Sequence, residues 1–432
     1  MDKLLRRRGT YVCRSCIQSF QRQPRRGYAT AAPSQPDIFD VVCVGGGPAG
    51  LSANPVTAHL RMALVEAQDL SKLRAWKLPP DRYSNRCSSL TPASASFLDR
   101  IGAWKHIDRD RVQPYHEMQV WDGVSGARIE FDSPPTNGGT IAYMIENLNL
   151  ISGLLKRLDE LGGVAMYDSS RVEHITYGEE TEEVDLRQWP VVHLSSGAQL
   201  AARLLVGADG ANSPVRTFAG IQARGWDYDR HGVVATLQLS ESTPNTFKTA
   251  YQRFLPTGPV ALLPLPGPYA SLVWSTTPQN AAHLKSLSSE DFVAMVNAAF
   301  RLSPVDLAYL HTIPSNHVDE LTWRSQHTPF PSPPTIPYPV TAVQPQTVAS
   351  FPLRLRHADS YTAHRIALLG DAAHTVHPLA GQGLNQGQGD VQALAGTVAE
   401  AVQHGMDLGV IGALQDYNGK RFMGRDGGLW SR

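Results

Sequence analysis

The chain has 432 residues, 42% hydrophobic and 18% charged, with 39 basic and 39 acidic side chains. That length suggests two or three domain-sized units with a large buried core, and the composition excludes a disordered chain. No apolar run of about 18 residues occurs, so a membrane-spanning helix is not expected; the best candidate, 260–274, is broken by Pro264, Pro266, Gly267 and Pro268.

The zero net charge conceals an asymmetry. Residues 1–28 hold eight basic side chains and one acid, a net +7, which leaves the rest of the chain at −7. An Arg-rich, acid-poor N-terminus has the character of a mitochondrial presequence, and Arg26-Gly27-Tyr28-Ala29 resembles a matrix-protease site. The alternative is a basic tail for nucleic acid or anionic lipid. Cys13 and Cys16 form a CxxC pair inside this segment with no second pair to complete a zinc site. Cys43 reads as core and Cys87 stands alone, so no disulfide framework is expected.

Phe39 to Val44 is a short apolar run of the kind found in buried parallel strands. It leads into Gly45-Gly46-Gly47-Pro48-Ala49-Gly50, and a second strand, Met62 to Val65, ends in Glu66. Strand, glycine turn, helix, strand and terminal acid make up the dinucleotide fingerprint. In that reading Gly45 permits the tight turn, Gly47 lets backbone N–H groups approach a pyrophosphate, and Gly50 lets the helix pack close. Glu66 accepts a ribose hydroxyl. Pro55 predicts that the connecting helix is short, since proline in a helix interior costs about 3 kcal/mol.

Further along, 117–132 reads as a hairpin and 146–161 as an amphipathic helix ended by Gly162-Gly163. Short strands are expected near 171–177, 190–194 and 202–206. The alternation over 231–275 predicts antiparallel sheet, and 289–300 a helix. Residues 328–346 carry seven prolines and read as a surface loop. A buried strand at 365–369 and a helix at 384–404 close the pattern. The expected fold class is α/β: a discontinuous Rossmann-like nucleotide unit (37–112, 147–225 and 347–432) with an inserted, mostly antiparallel sheet unit (113–146 and 226–346).

Two more motifs carry chemistry. Leu205-Val206-Gly207-Ala208-Asp209-Gly210 delivers Asp209 from a strand into a tight turn, and Ser213 is placed to cap the next helix. Leu369-Gly370-Asp371 again ends a strand in a carboxylate. The segment from His377 and Pro378 through Gly381-Gln382-Gly383-Leu384-Asn385 then enters a helix, whose first amides favour an anion. His374 and His377 lack the acid or cysteine cluster of a metal site, and His374 reads as a buried, hydrogen-bonded histidine.

In that order the three motifs resemble the group A flavoprotein monooxygenases of the para-hydroxybenzoate hydroxylase fold. The run from His377 to Asp390 is similar to the signature of the ubiquinone-biosynthesis hydroxylases, as are Gln252 to Pro264 and Arg82-Tyr83-Ser84-Asn85-Arg86. With the presequence, the resemblance is to the mitochondrial ring C5-hydroxylase branch. It implies an FAD enzyme hydroxylating a polyprenylated hydroxybenzoate ring through a flavin C4a-hydroperoxide. Electrons would come from ferredoxin and its reductase, other coenzyme Q biosynthesis proteins would be partners, and the location would be peripheral on the matrix side of the inner membrane. It places Gly45, Gly47, Gly50 and Arg86 near the FAD phosphates, Glu66 on the adenosine ribose, and Asp209 and Gly210 near the pyrophosphate. Gly370 and Asp371 fall on the ribitol, and Pro378 with Gly381 to Asn385 on the isoalloxazine edge. Residues after Phe422 depart from the resemblance; with Pro55 this predicts weakened FAD binding. Two alternatives stand beside this reading: an NAD(P)H-dependent hydroxylase of a soluble phenol, and a non-catalytic scaffold subunit.

Overall fold

A computed structural model describes residues 35–52, 60–132, 139–240, 248–378 and 381–422. The expected presequence, Pro55 and the C-terminal departure lie outside these residues. Among the described residues no helix is long and apolar enough to cross a membrane.

An eight-stranded sheet forms the first layer. Its strands run Thr362–Ala363, Ile366–Leu368, Gln199–Gly207, Asp37–Val44, Met62–Val65 and Val164–Tyr167, with Pro190–Leu194 and Val172–Tyr177 branching from one side. The five strands from Ile366–Leu368 to Val164–Tyr167 are mutually parallel. Parallel strands are covered on both faces, which is why Val42, Leu204, Leu205 and Ala367 are fully buried and no polar alternation appears. Helices Asn147–Leu161 and Gln382–Gln403 contribute Leu150, Leu154, Leu155, Leu394 and Val398 to the same core.

The second layer is a nine-stranded, mostly antiparallel sheet. Its spine is the 17-residue strand Ala223–Leu239, which pairs with Tyr269–Thr276 on one side and with Ala349–Ala358 and Val340–Val343 on the other. The expected hairpin is present as Glu117–Asp122 and Arg128–Asp132. Helices Pro278–Ser286, Ser289–Arg301 and Pro304–Leu310 cover the sheet. Each starts on a hydroxyl cap, from Thr277, Ser288 and Ser303 respectively. Trp274, Phe292 and Phe300 fill the space between.

The proline-rich stretch is not simply a surface loop. Val340–Val343 is a strand, and Ile336 and Val340 are buried in this core. Buried Asn297 holds the segment: its Nδ2 donates to the Val340 carbonyl at 2.8 Å, and its Oδ1 accepts from the Val340 N–H at 2.9 Å. A polar partner on a helix thus overrides the loop-forming composition.

A small third sheet, Cys87–Leu90, Ala142–Glu146 and Gln113–Tyr115, joins the two layers. Behind it Arg111 Nε bonds Glu146 Oε2 at 2.7 Å, with Glu146 fully buried. Arg111 also donates to the carbonyls of Pro79 and Arg82, and Glu146 accepts from the Ser84 N–H. This buried pair fixes the path of the segment leading to Arg86.

Candidate functional site

The three motifs meet at one edge. Ile366–Leu368, Gln199–Gly207 and Asp37–Val44 are neighbours in the sheet, and Val44 stands level with both Gly207 and Val65. Leu368 stands level with Gly207. Parallel strands end at the same edge, so Gly45, Glu66, Asp209 and Asp371 emerge side by side. Carboxyl ends of parallel strands are where open α/β sheets bind ligands.

Close backbone approach explains two glycines. A Cβ on Gly45 (φ +115°) would lie 2.1 Å from the Ala208 carbonyl oxygen, and one on Gly50 would lie 1.9 Å from that of Gly45. A Cβ on Gly47 or Gly210 would meet nothing within 4 Å, so the backbone there faces open space. Glu66 accepts from the Gly46 N–H at 2.6 Å and from the Gln68 N–H at 2.8 Å. A carboxylate has about four acceptor positions, so capacity for a ribose hydroxyl remains.

Asp209 accepts from the Val215 N–H at 3.1 Å through Oδ2, while its buried Oδ1 has no partner. Burial pushes its carboxyl above the usual range, against bonding from Ser213 and the Val215 amide and the pull of Arg216. Asp371 is also pushed up by its surroundings, with His374 acting the other way, yet the residue is solvent-exposed. Dense surroundings together with exposure describe a carboxyl on the wall of a concavity.

The helix Gln382–Gln403 opens at Gly381, in the left-handed region (φ +60°), with no side-chain cap. Asn385 ties its first turn down: Nδ2 donates to the Ser89 and Gly381 carbonyls, and Oδ1 accepts from the Thr91 N–H. Gln382, Gly383 and Leu384 are half-buried in that turn, and Pro378 precedes it. Arg86 is exposed just before Cys87–Leu90, the strand beside this turn, and makes no ion pair among the described residues. His377 packs edge-on against Tyr228. Among the described residues no group of three or more His, Cys, Asp or Glu side chains is placed to hold a metal.

The residues suit a flavin dinucleotide. An orphaned carboxylate oxygen on Asp209, open space before Gly47 and Gly210, and an uncapped helix start converge on one edge. The comparisons agree. The family described as "FAD binding domain" matches residues 39–326 and 319–409. The protein named ubiquinone biosynthesis monooxygenase COQ6, mitochondrial, of Schizosaccharomyces pombe is 41% identical over 401 residues, covering 89% of this chain and 81% of that one. The protein of the same name from Homo sapiens is 39% identical over 395 residues, covering 89% and 82%.

The chain belongs to the ubiquinone biosynthesis monooxygenase family. It is an FAD-dependent monooxygenase. Its fold is shared with pqsL of Pseudomonas aeruginosa, described as a probable FAD-dependent monooxygenase, at TM-score 0.62 and 21% identity over 88% of this chain and 92% of that one. It is also shared with the p-nitrophenol 4-monooxygenase PnpA of Pseudomonas putida DLL-E4, at TM-score 0.59 and 20% identity over 89% and 84%.

Several residues that brace this edge carry no local sequence signature. Asp390, fully buried, accepts from the Gly370 N–H at 2.9 Å and contacts His374 Nε2 at 2.6 Å through Oδ2. Its Oδ1 accepts from Arg421 Nε at 2.7 Å. His374 is thus buried and bonded through Nε2, as expected, while its Nδ1 has no partner. Arg216 links two motifs, donating to the carbonyls of Ala211 and Ala372 at 2.7 and 2.8 Å. Ser52 donates to Gln388 at 3.1 Å, joining the first motif to the long helix. Charged or amide groups inside apolar stretches were the available signal; their partners lie far away in sequence.

Proposed function

We propose that this chain hydroxylates the aromatic ring of a polyprenylated hydroxybenzoate-type intermediate, at C5, with FAD held along the strand-end edge. The observation that carries this reading is the convergence of Gly45, Glu66, Asp209 and Asp371 at one edge, beside an apolar inter-layer wall. Gly45, Gly47 and Gly50 bring backbone amides to the pyrophosphate, with Arg86, Asp209 and Gly210 close by, and Glu66 takes the adenosine ribose. Gly370 and Asp371 hold the ribitol. Pro378 and Gly381, Gln382, Gly383, Leu384 and Asn385 form the edge for the ring system. Reduced FAD, when bound, supplies the activation of O2 from which one oxygen atom passes to an electron-rich ring.

The protein's part is to bind, orient and exclude water. Tyr83, Tyr115, Ala142, Met144, Ala250 and Leu265 form a buried apolar cluster where the small sheet meets the large one. Tyr115 OH is 2.9 Å from Ser89 Oγ, and Ser89 lies against Gly381. This packed apolar cluster next to the helix start supports reading that side of the edge as the one that takes a ring with a hydrocarbon tail. The nucleotide unit is assigned to 37–112, 147–225 and 347–432 and the inserted unit to 113–146 and 226–346, with strand Ala349–Ala358 shared into the second sheet. With a single nucleotide fingerprint in the chain, electrons are assigned to ferredoxin and its reductase. The location is assigned to the matrix face of the inner membrane, in company with other coenzyme Q biosynthesis proteins.

The test is quinone-intermediate analysis by mass spectrometry in a strain lacking its own ring hydroxylase. Expression of this chain should restore the C5-hydroxylated intermediate, and Asp371→Ala should abolish it. Accumulation of the unhydroxylated precursor with this chain, beside restoration by one of its relatives, would sink the proposal.

A further inference from the structure

The large sheet ends in an open strand. Arg128–Asp132 is its last member, paired with Glu117–Asp122 on one side and with no strand on the other among the described residues. An open edge presents a row of backbone donors and acceptors that a further strand can take. The register fixes which groups these are. The Asp122 N–H donates to the Ala127 carbonyl at 2.9 Å, so in the antiparallel alternation Ile129 and Phe131 also turn their backbone groups inward. The N–H and C=O groups of Arg128, Glu130 and Asp132 therefore point outward.

The side chains do little to protect this edge. Open edges are commonly blunted by lysine, proline or a bulge. This strand carries neither residue, and its pairing shows no register shift. Ile129 and Phe131 share one face, and they are 60% and 51% exposed. Val120 and Met118 stand beside them, and Met118 packs against the cluster of Tyr115, Ala250 and Leu265. The apolar face thus runs outward from the interior and stops uncovered at the edge.

The other face carries charges in a self-complementary order. Turned antiparallel against itself about Glu130, the strand sets Arg128 opposite the partner's Asp132 and Ile129 opposite the partner's Phe131, each twice. Only Glu130 meets its own counterpart, a like-charge contact on the axis. Glu130 and Asp132 make no ion pair among the described residues. Arg128 spends Nη1 on the Gln119 side chain and the Thr335 carbonyl and lies 4.8 Å from the Trp121 ring, which leaves Nε and Nη2 for a carboxylate.

We propose that Arg128–Asp132 pairs antiparallel with the same strand of a second copy of this chain, about a two-fold axis at Glu130. The contact is isologous, so it closes at two copies. Two apolar and two ionic cross-strand pairs favour it, and one like-charge pair opposes it. Five paired residues span only about 17 Å, a contact short of the roughly 1,000 Å² expected of a stable interface. The association is therefore weak and depends on concentration. One sheet then runs through both copies and joins their apolar faces.

The test is sedimentation velocity on the full chain with FAD present, across the micromolar range. The average mass should climb toward that of a dimer as concentration rises. Ile129→Lys should weaken association at least about fivefold, since two apolar pairs are lost. Glu130→Gln should strengthen it, because it removes the repulsion on the axis. Both side chains are exposed, so the urea midpoint at low concentration should stay unchanged, and a merely structural role gives no such opposite pair of shifts. Glu130→Cys should cross-link to its counterpart on oxidation, read by peptide mass spectrometry. Hydrogen-bonded antiparallel pairs hold their Cα atoms about 5.5 Å apart, within the disulfide range of roughly 4.4–6.8 Å. Val124→Cys, also exposed but in the turn beyond the paired strand, should not cross-link. A monomer at every concentration, or a dimer indifferent to both Ile129→Lys and Glu130→Gln, overturns the proposal. So does a monomer that floats with phosphatidylcholine vesicles and loses this with Ile129→Lys, which assigns the edge to a lipid surface instead.

Discussion

Four carboxylates around the parallel sheet fall into two pairs with opposite treatment. Asp390 and Asp407 stand behind the strand ends and are saturated. Asp390 accepts from Gly370, His374 and Arg421, and Asp407 from Arg203, Arg365 and the Gly409 amide. Asp209 and Asp371 stand at the strand ends and are underbonded: one carries an orphaned oxygen, and surroundings push both upward. The saturated pair holds the frame. The underbonded pair keeps unused acceptor capacity at the ligand edge, at a cost in stability that a hydroxyl-rich ligand can offset. The same chemical group thus serves structure or binding according to how many donors the fold supplies.

Breaking the rear pair should have the largest effect. Asp390→Ala strips Arg421 of its ion pair, leaving only its bond to the Gln386 carbonyl, and leaves the Gly370 N–H without its acceptor; loss of one member of a buried pair costs about 3–5 kcal/mol. Urea unfolding should show a lower midpoint, and the purified protein should carry less FAD. A variant with both unchanged would remove the structural half of the comparison. Next in size are Gly45→Ala and Gly50→Ala, whose added methyls collide with backbone oxygens. Each should cost roughly 1–3 kcal/mol, the usual range for overpacking, and lower FAD affinity by fluorescence titration, whereas Gly47→Ala should be tolerated in stability.

The smallest effects carry opposite signs and sharpen the contrast most. Against the upward push of burial, bonds from Arg365, Gly409 and Arg203 bring Asp407 down to about 2. Its stabilisation is therefore complete above pH 4 or so and is lost as pH falls toward 2. Asp209 and Asp371 are raised, so the unfolded chain binds fewer protons than the folded one and their contribution declines as pH rises through the carboxylate range. In FAD-free protein, Asp407→Asn should lower the urea midpoint at pH 7 and narrow its acid dependence. Asp209→Asn should leave the midpoint unchanged or raise it by less than about 1 kcal/mol equivalent, while weakening FAD binding. A fall in the Asp209→Asn midpoint to match that of Asp407→Asn would erase the distinction.

Local signals located the strand-end half of this arrangement. A glycine that must avoid a backbone oxygen, an acid that ends an apolar strand and a hydroxyl before a helix are each written within a few residues. Gly45, Asp209, Asp371 and Ser213 were therefore readable, as were the strand Met62–Val65 and the helix Asn147–Leu161. The rear half depends on partners brought together only by the fold. Arg111 meets Glu146 across 35 residues, and Arg203 meets Asp407 across 204. Nothing near Asp390 in sequence names His374 or Arg421 as its neighbours. The proline-rich stretch misled because composition reports backbone preference, while Asn297, 43 residues earlier, decides where Val340 goes.

The bond from Arg421 to Asp390 also sets an order of events in the life of the molecule. The helix Ile411–Arg421 lies 31 residues beyond the acid it completes. A chain emerging from a ribosome or an import pore in N-to-C order presents its glycine turn first and the clamp for its Gly370-Asp371 turn last. The brace behind the Gly370-Asp371 turn is therefore completed only when the end of the described chain has been made. Until then the apolar strands of the early segments lack part of their cover, the kind of exposed surface that makes folding intermediates of larger proteins prone to aggregate.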